Sequence, residues 1–247
     1  MQNLNYKNKG VTYQSGRPSY PAEVYSYLFS AAGLYDGASV TDVGAGTGLF
    51  TKGFLPYSLN ITCIEKDQDM LAQLKENITG ATILEGSAEH LPLPDHTQQL
   101  ITAATAFHWF DADAFRLECR RVLKERGFVA LLWNNMDYEC PILRSQTEIN
   151  QRLCPLFHGY RGLRIQSAET FTPFFADGKW ETRFFQNDMT VDADAFLRRA
   201  LSSSYAPNPG DSNYEQYVQE TNAVFAAHAK NGLATIGMQT ACYLGHV

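Results

Sequence analysis

The stretch Asp42-Val43-Gly44-Ala45-Gly46-Thr47-Gly48 stands where an apolar run, Ala38 to Val43, gives way to a segment with helical spacing, Leu49 to Leu55, closed by Pro56. Alternate glycines at a strand end let the backbone take positive φ and bring its N–H groups against a ligand with no Cβ in the way. A plain turn needs no such concentration of glycine, whose freedom costs entropy on folding. The loop therefore reads as a binding loop, with Gly44, Ala45 and Gly46 as contact residues and the acid Asp42 at its head.

Outward from the loop, strands and helices alternate. Pro21 to Ala32 predicts a helix stopped by Gly33, and Ile61 to Glu65 a second strand. Asp67 is a candidate cap for a helix whose stripe is Met70, Leu71, Leu74 and Ile78. Ala81 to Leu84, Leu100 to Ala106 and Phe128 to Trp133 follow as strands, with a helix from Asp111 to Leu123 before the last of them. Nearly continuous apolar strands alternating with helices predict an α/β fold, a mostly parallel sheet covered by helices on both faces. Farther on, helices are expected over Cys140 to Phe157, Ala193 to Ser202 and Tyr214 to Ala229, and strands over Glu181 to Thr190 and Leu233 to Leu244. With no repeats or low-complexity linkers, residues 1–247 read as a single domain: an N-terminal lid and helix (1–35), a core (36–135), and cap elements with the last strands (136–247), the insertions lying at roughly 136–180 and 191–230.

The 247 residues are 45% hydrophobic and 19% charged, enough for one sizeable core, and no run of 18 apolar residues occurs. The opening MQNLNYKNKG is polar, so neither secretion nor membrane association is expected, and the expected location is cytoplasmic. Five widely spaced cysteines show no metal-ligand spacing, and no metal is expected. Twenty Lys and Arg against 26 Asp and Glu, without a basic stripe, argue against a nucleic-acid partner and for a small-molecule one. Oligomeric state stays open.

Open parallel sheets bind dinucleotides at such a loop, but that fingerprint wants a further small residue where this chain has Leu49 or Thr51. Nineteen residues after Gly46, Glu65 ends strand two, where a carboxylate can accept both hydroxyls of a ribose; the alternative is a solvated strand-end acid. Lys66 stands beside it. Ser87, Ala88 and Glu89 follow strand three in a turn that either frames an adenine edge or is a plain loop. After strand four come Thr105 and Ala106 and the aromatic cluster Phe107-His108-Trp109-Phe110, an aromatic wall suited to a positively charged ligand. His108 is either a base or a structural histidine.

Together these segments resemble the class I S-adenosylmethionine-dependent methyltransferases, particularly the methyltransferase type 11 group and its trans-aconitate-methyltransferase-like members. The resemblance runs over about residues 10 to 137, through Tyr13 with Arg17-Pro18-Ser19-Tyr20-Pro21, DVGAGTG, IEKDQDML, GSAEHLPLPD, AFHWFD and RVLKERG followed by LLWNNMD. The chain departs from the family's pattern at Ser87, Gln99 and Met136. The resemblance implies a seven-stranded Rossmann-like sheet whose last two strands form an antiparallel pair at one edge, S-adenosyl-L-methionine as cofactor, and an enzyme that transfers its methyl in line to a small molecule. It implies that Gly44 and Gly46 approach the methionine moiety, Glu65 holds the ribose, Ser87 to Glu89 frame adenine, and Tyr13 and Arg17 lie on a lid.

For the acceptor, a carboxylate, hydroxyl or amine, the expected floor is His108 and Trp109. The expected cap carries Arg198, Arg199 and Tyr205 with Tyr138, Phe157, Tyr160, Arg144, Arg161 and Arg164, because arginine grips anions and aromatics exclude water. Two rivals remain at this stage: an enzyme of the same fold that transfers no methyl, such as an oxidoreductase or cyclase, and a non-catalytic partner subunit.

Overall fold

The structure, a computed structural model, describes residues 18–160 and 166–247. Strand β1 (Ser39–Val43) lies inside the sheet, which suits its almost wholly buried run of side chains. It pairs in parallel with β2 (Asn60–Glu65) on one side and with β4 (Gln98–Ala104) on the other, so Asp42 faces Cys63 and Thr102 across the two ladders. β3 (Thr82–Glu85) extends the sheet beyond β2, and β5 (Leu123–Met136) beyond β4, both in parallel. With β6 (Glu181–Gln186) and β9 (Met238–Gly245) the order is β3-β2-β1-β4-β5-β9-β6, a mostly parallel seven-stranded sheet with an antiparallel edge strand. The strand order reverses between β1 and β4, which makes the crevice at their carboxyl ends the place where such sheets bind ligands.

Alternation along the strands sorts the apolar residues onto two faces. Val40, Leu100, Ala130 and Leu132 join a core with Val24 and Leu28 of α1 (Ala22–Ala31), Phe50, Phe54, and Leu71 and Leu74 of α2 (Gln68–Asn77). Val43, Ile101, Val129 and Leu131 join the opposite core with Phe115 and Val122 of α3 (Ala112–Val122), Phe107 and Trp133. Side-chain oxygens start two of these helices: Asp67, as expected, accepts from the Met70 N–H, and Asp111 accepts from those of Asp113 and Ala114.

Four expectations are corrected. Leu49 to Leu55 is not an α-helix but a single 3-10 turn, Thr51–Gly53, whose tight packing shows at Gly53: a Cβ there would lie 1.9 Å from the Tyr25 ring. The run Glu181 to Thr190 divides into β6 and β7 (Met189–Val191), and Leu233 to Leu244 into β8 (Ala234–Ile236) and β9. The breaks fall at Asn187-Asp188 and at Gly237, where a Cβ would be 3.0 Å from that of Cys140. As expected, β9 and β6 are neighbours at one edge of the seven-stranded sheet, while β7 and β8 form a further antiparallel ribbon of their own. Helix α5 (Ala168–Phe174), inside the stretch read as cap insertion, sends Phe171 and Phe174 into the second core.

The described residues form two compact units. The first comprises 18–134, 166–185 and 240–247 and holds the sheet. The second comprises 135–160 and 186–239; α4 (Pro141–Leu153), α6 (Ala193–Leu201), α7 (Tyr214–His228) and the ribbon enclose Ile142, Phe196, Phe225 and Ile236 in one cluster and Ile149, Leu153 and Tyr217 in another. Among the described residues no helix is long and apolar enough to cross a membrane.

Candidate functional site

The glycine loop leaves β1 with Gly44 (φ +66°), Gly46 (φ +57°) and Gly48 (φ +85°) all in the left-handed region that glycine adopts freely. The three do different things. A Cβ on Gly48 would lie 2.4 Å from Ile78, so that glycine serves the packing of α2. A Cβ on Gly44 would meet the Ala106 Cβ at 2.8 Å and the Phe110 ring at 3.1 Å, so the end of β4 closes directly on the loop. Around the position of a Cβ on Gly46 there is nothing within 4 Å: the loop presents bare backbone to open space there.

Two carboxylates hold this backbone. Glu65, 8% exposed at the end of β2, accepts from the Gly46 N–H at 2.8 Å with one oxygen and from the Lys66 and Asp67 N–H groups, both at 2.9 Å, with the other. It is no solvated strand-end acid; it joins the β2 end to the glycine loop. Asp42 is 1% exposed beneath the loop, accepting from the Thr51 hydroxyl at 2.6 Å and the Thr102 hydroxyl at 3.0 Å. Burial pushes its carboxyl up to about 6; the two hydroxyls oppose that rise, and the nearby Glu65 adds to it. Asp42, expected among the cofactor contacts, has almost no surface to offer a ligand and braces the loop from below.

Ser87 and Glu89 are half-buried and Ala88 is buried, in a turn closed by a bridge between Ser87 and His90. Glu89 accepts from the Asp111 N–H at 3.1 Å, which ties this turn to the aromatic segment. Against the desolvation that resists charge there, the Asp111 N–H, its own N–H, the Ser87 hydroxyl and Lys66 hold its carboxyl below the ordinary value. Thr105 and Ala106 turn the chain at the end of β4; Thr105 has φ +55°, donates its N–H to the Leu132 carbonyl at 2.7 Å, and its hydroxyl is 3.0 Å from that of Tyr20. Half-buried His108 and exposed Trp109 have ring centroids 5.0 Å apart. Tyr13, Arg17, Arg161 and Arg164 lie outside the described residues.

Within the second unit, four of the expected aromatics gather. Tyr138 stacks on Tyr160 with centroids 3.5 Å apart, and Phe157 meets Tyr160 and Tyr205 edge-on. Asn150 donates to the hydroxyls of Tyr160 and Tyr205 at 3.2 and 3.5 Å. Burial pushes the Tyr138 and Tyr205 phenols up to about 12, and the charge of Arg199 partly offsets this at Tyr138. Half-buried Arg199 lies against the Met136 sulfur, whereas Arg198 is exposed and Arg144 is paired with Glu139 on the surface. Two groups were not singled out from the sequence. The Phe110 ring was signalled only as part of an aromatic run, and the Tyr20 hydroxyl only as part of a motif; neither placement follows from spacing.

Residues 41–131 match the family model described as "Methyltransferase domain". Over these residues the chain is similar to class I methyltransferases. An uncharacterized methyltransferase of Mycobacterium tuberculosis is 33% identical over 146 residues, 59% of this chain and 58% of that one. An uncharacterized methyltransferase-like protein of Schizosaccharomyces pombe is 28% identical over 145 residues, 58% and 57% of the two chains. The chain thus spans little more than half the length of these relatives. Among solved structures, a protein assigned to the type II methyltransferases from Anaeromyxobacter dehalogenans superposes with a TM-score of 0.68 at 19% identity, over 93% of this chain and 97% of that one, so the likeness of fold runs well beyond residues 41–131.

Proposed function

We propose that the protein binds S-adenosyl-L-methionine at the carboxyl ends of β1, β2 and β4 and transfers its methyl group to a small polar molecule. The observation that carries this is Gly46: left-handed, its N–H fixed on Glu65, and with open space where any other residue would carry a side chain. Gly44 and Gly46 would lie along the methionine moiety, Glu65 would take the ribose hydroxyls, and Ser87 to Glu89 would face adenine. Phe110, already against Gly44, offers a ring to a cation. When bound, the cofactor supplies a methyl on positively charged sulfur, open to displacement by a lone pair of the acceptor. The residues around it hold the reactants in line and exclude water.

A carboxylate acceptor needs no base, whereas a hydroxyl or amine must lose a proton, for which His108 is the candidate. Arg199 and the tyrosines of the second unit are the candidates for gripping a polar or anionic acceptor. Five unpaired cysteines, four of them buried, suit a reducing compartment, and we place the enzyme in the cytoplasm. The test is calorimetry with S-adenosylmethionine, S-adenosylhomocysteine and NAD, followed by a product-mass screen with labelled cofactor over carboxylic acids, phenols and amines. Tighter binding of NAD than of either adenosyl ligand overturns the reading, and a product heavier by one methyl establishes reaction and acceptor together.

A further inference from the structure

We infer that Tyr20 is a positioning residue that holds Thr105 in a left-handed conformation and so sets the gap between the end of β4 and the glycine loop. The inference rests on the reading that this edge of the sheet binds the cofactor, and it assigns a role to a residue outside that set of contacts. Four described residues other than glycine have positive φ: His96, Asp177, Asn231 and Thr105. The first three are types that tolerate this region well. Threonine is β-branched, and its side chain crowds its own backbone there, so Thr105 stays in place only because its surroundings hold it.

The holding contacts are few. The Thr105 N–H is fixed on the Leu132 carbonyl at 2.7 Å, and the side chain is held by the Tyr20 hydroxyl at 3.0 Å. Tyr20 is itself anchored. Its ring meets Phe50 edge-on, with centroids 4.8 Å apart, and Phe50 stacks on Tyr25 and stands edge-on to Phe54. The chain just before it is pinned where the Asn134 side chain donates to the Pro18 carbonyl at 3.1 Å, while Thr240 donates to the oxygen of that same amide.

What the held conformation decides is the place of Ala106, the next residue, whose Cβ lies only 2.8 Å from where a Cβ of Gly44 would be. If Thr105 relaxes to an ordinary conformation, Ala106 and Phe110 swing relative to the loop, at the point where the strand order reverses. Strain of this kind adds nothing to the core, and Tyr20 keeps it from relaxing.

The experiment compares Tyr20→Phe, Thr105→Val, Thr105→Gly and Tyr20→Phe combined with Thr105→Gly in the full chain, by calorimetric titration with S-adenosylhomocysteine and by melting temperature. Tyr20→Phe and Thr105→Val, which lose the bond but keep a threonine-shaped strain, are each expected to bind about 2–10-fold more weakly, the usual worth of one hydrogen bond. Thr105→Gly is expected to bind within about twofold of the unaltered protein, because glycine takes positive φ without being held. In that background Tyr20→Phe costs less affinity and less melting temperature than it does alone. Unaltered affinity in Thr105→Val, or an equal loss from Tyr20→Phe in both backgrounds, overturns the inference. The melting temperatures read the coupling without ligand, so a chain that fails to bind S-adenosylhomocysteine refutes the cofactor reading while the paired melts still decide the role of Tyr20.

Discussion

Glu65→Ala removes the acceptor of three backbone N–H groups at once, and the structure shows that the three losses are unequal. Lys66 and Asp67 are exposed, so water replaces the carboxylate on their N–H groups at little net cost. The Gly46 N–H, 2.8 Å from the other oxygen, belongs to a half-buried residue between buried neighbours, where a bond to a charged acceptor is worth about 1.5–3 kcal/mol. The expected loss of stability is therefore about 1–3 kcal/mol, or roughly 3–10 °C in melting temperature for a chain of this size. Affinity for S-adenosylhomocysteine falls as well, by about 1–3 kcal/mol or roughly 5–150-fold, because the carboxylate that fixes the loop is also the proposed acceptor for the ribose hydroxyls. Glu65→Gln, which retains one carbonyl oxygen, is expected between the two. Calorimetric titration and denaturant unfolding on the same preparations separate the two effects. Unchanged affinity with lowered stability would make Glu65 a scaffold residue only, and a variant unchanged in both would refute the reasoning altogether.

Asp42→Asn tests the buried carboxyl. Its folded value of about 6 exceeds that of an unfolded aspartate, so the stability its neutral form confers, on the order of 2–3 kcal/mol, is present below about pH 4 and lost as pH rises through about 6. Unfolding free energies from pH 4 to 7.5 should show the wild type losing ground to the variant over that window, and a constant difference counts against the shift. Gly44→Ala should lose about 2–4 kcal/mol of stability to the 2.8 Å clash with Ala106 and the strained φ. Gly46→Ala should lose only about 1 kcal/mol of stability, for φ alone, yet ten times or more in S-adenosylhomocysteine affinity, since its new methyl fills the open space; preserved affinity would move the cofactor elsewhere. Once an acceptor is found, Arg199→Ala should raise its KM by about tenfold or more if it is an anion, and His108→Asn should lower kcat only if the acceptor must lose a proton.

Legibility in the sequence followed the strength of the local signal. Five strands and three α-helices precede residue 136, and the observed strands start and stop within a few residues of the apolar runs that predict them. β5 is longer than its apolar centre because the charged Lys124-Glu125-Arg126 stretch also belongs to the strand, after an irregular register against β4 between Gln98 and Leu100. After that point the apolar runs overstate continuity: Gly237 and the pair Asn187-Asp188 cut two apparent strands into four, and which pieces join the main sheet depends on partners distant in sequence. For the candidate site, the type and spacing of Gly44, Gly46 and Glu65 mark a glycine loop and an acidic strand end, and the structure joins Gly46 to Glu65. The burial of Asp42 against Thr51 and Thr102 is not legible there, because a carboxylate at a strand end looks the same in sequence whether it meets a ligand or two buried hydroxyls. Nor can spacing show that a tyrosine 85 positions away reaches Thr105.

The braces under the glycine loop also bear on why this edge is built from polar contacts at all. An apolar residue at position 42 would fill the same buried volume with no carboxyl to desolvate, and buried ionisable groups are poor sources of stability. What Asp42 supplies instead is direction. One oxygen takes the hydroxyl of Thr51, beyond the loop, and the other that of Thr102, on the neighbouring strand, so β1, the turn after the loop and β4 are held at fixed distances. Glu65 does the same between the loop and the end of β2. Apolar packing tolerates small sliding movements that such bonds resist. The proposed methyl transfer depends on the reacting atoms being held about 3–3.5 Å apart and in line, so a fraction of an ångström at the loop would matter more to its rate than a little stability does to the fold. The buried Asp42, the left-handed glycines and the strained Thr105 all oppose folding locally and all lie at the carboxyl ends of β1 and β4, where that precision is needed.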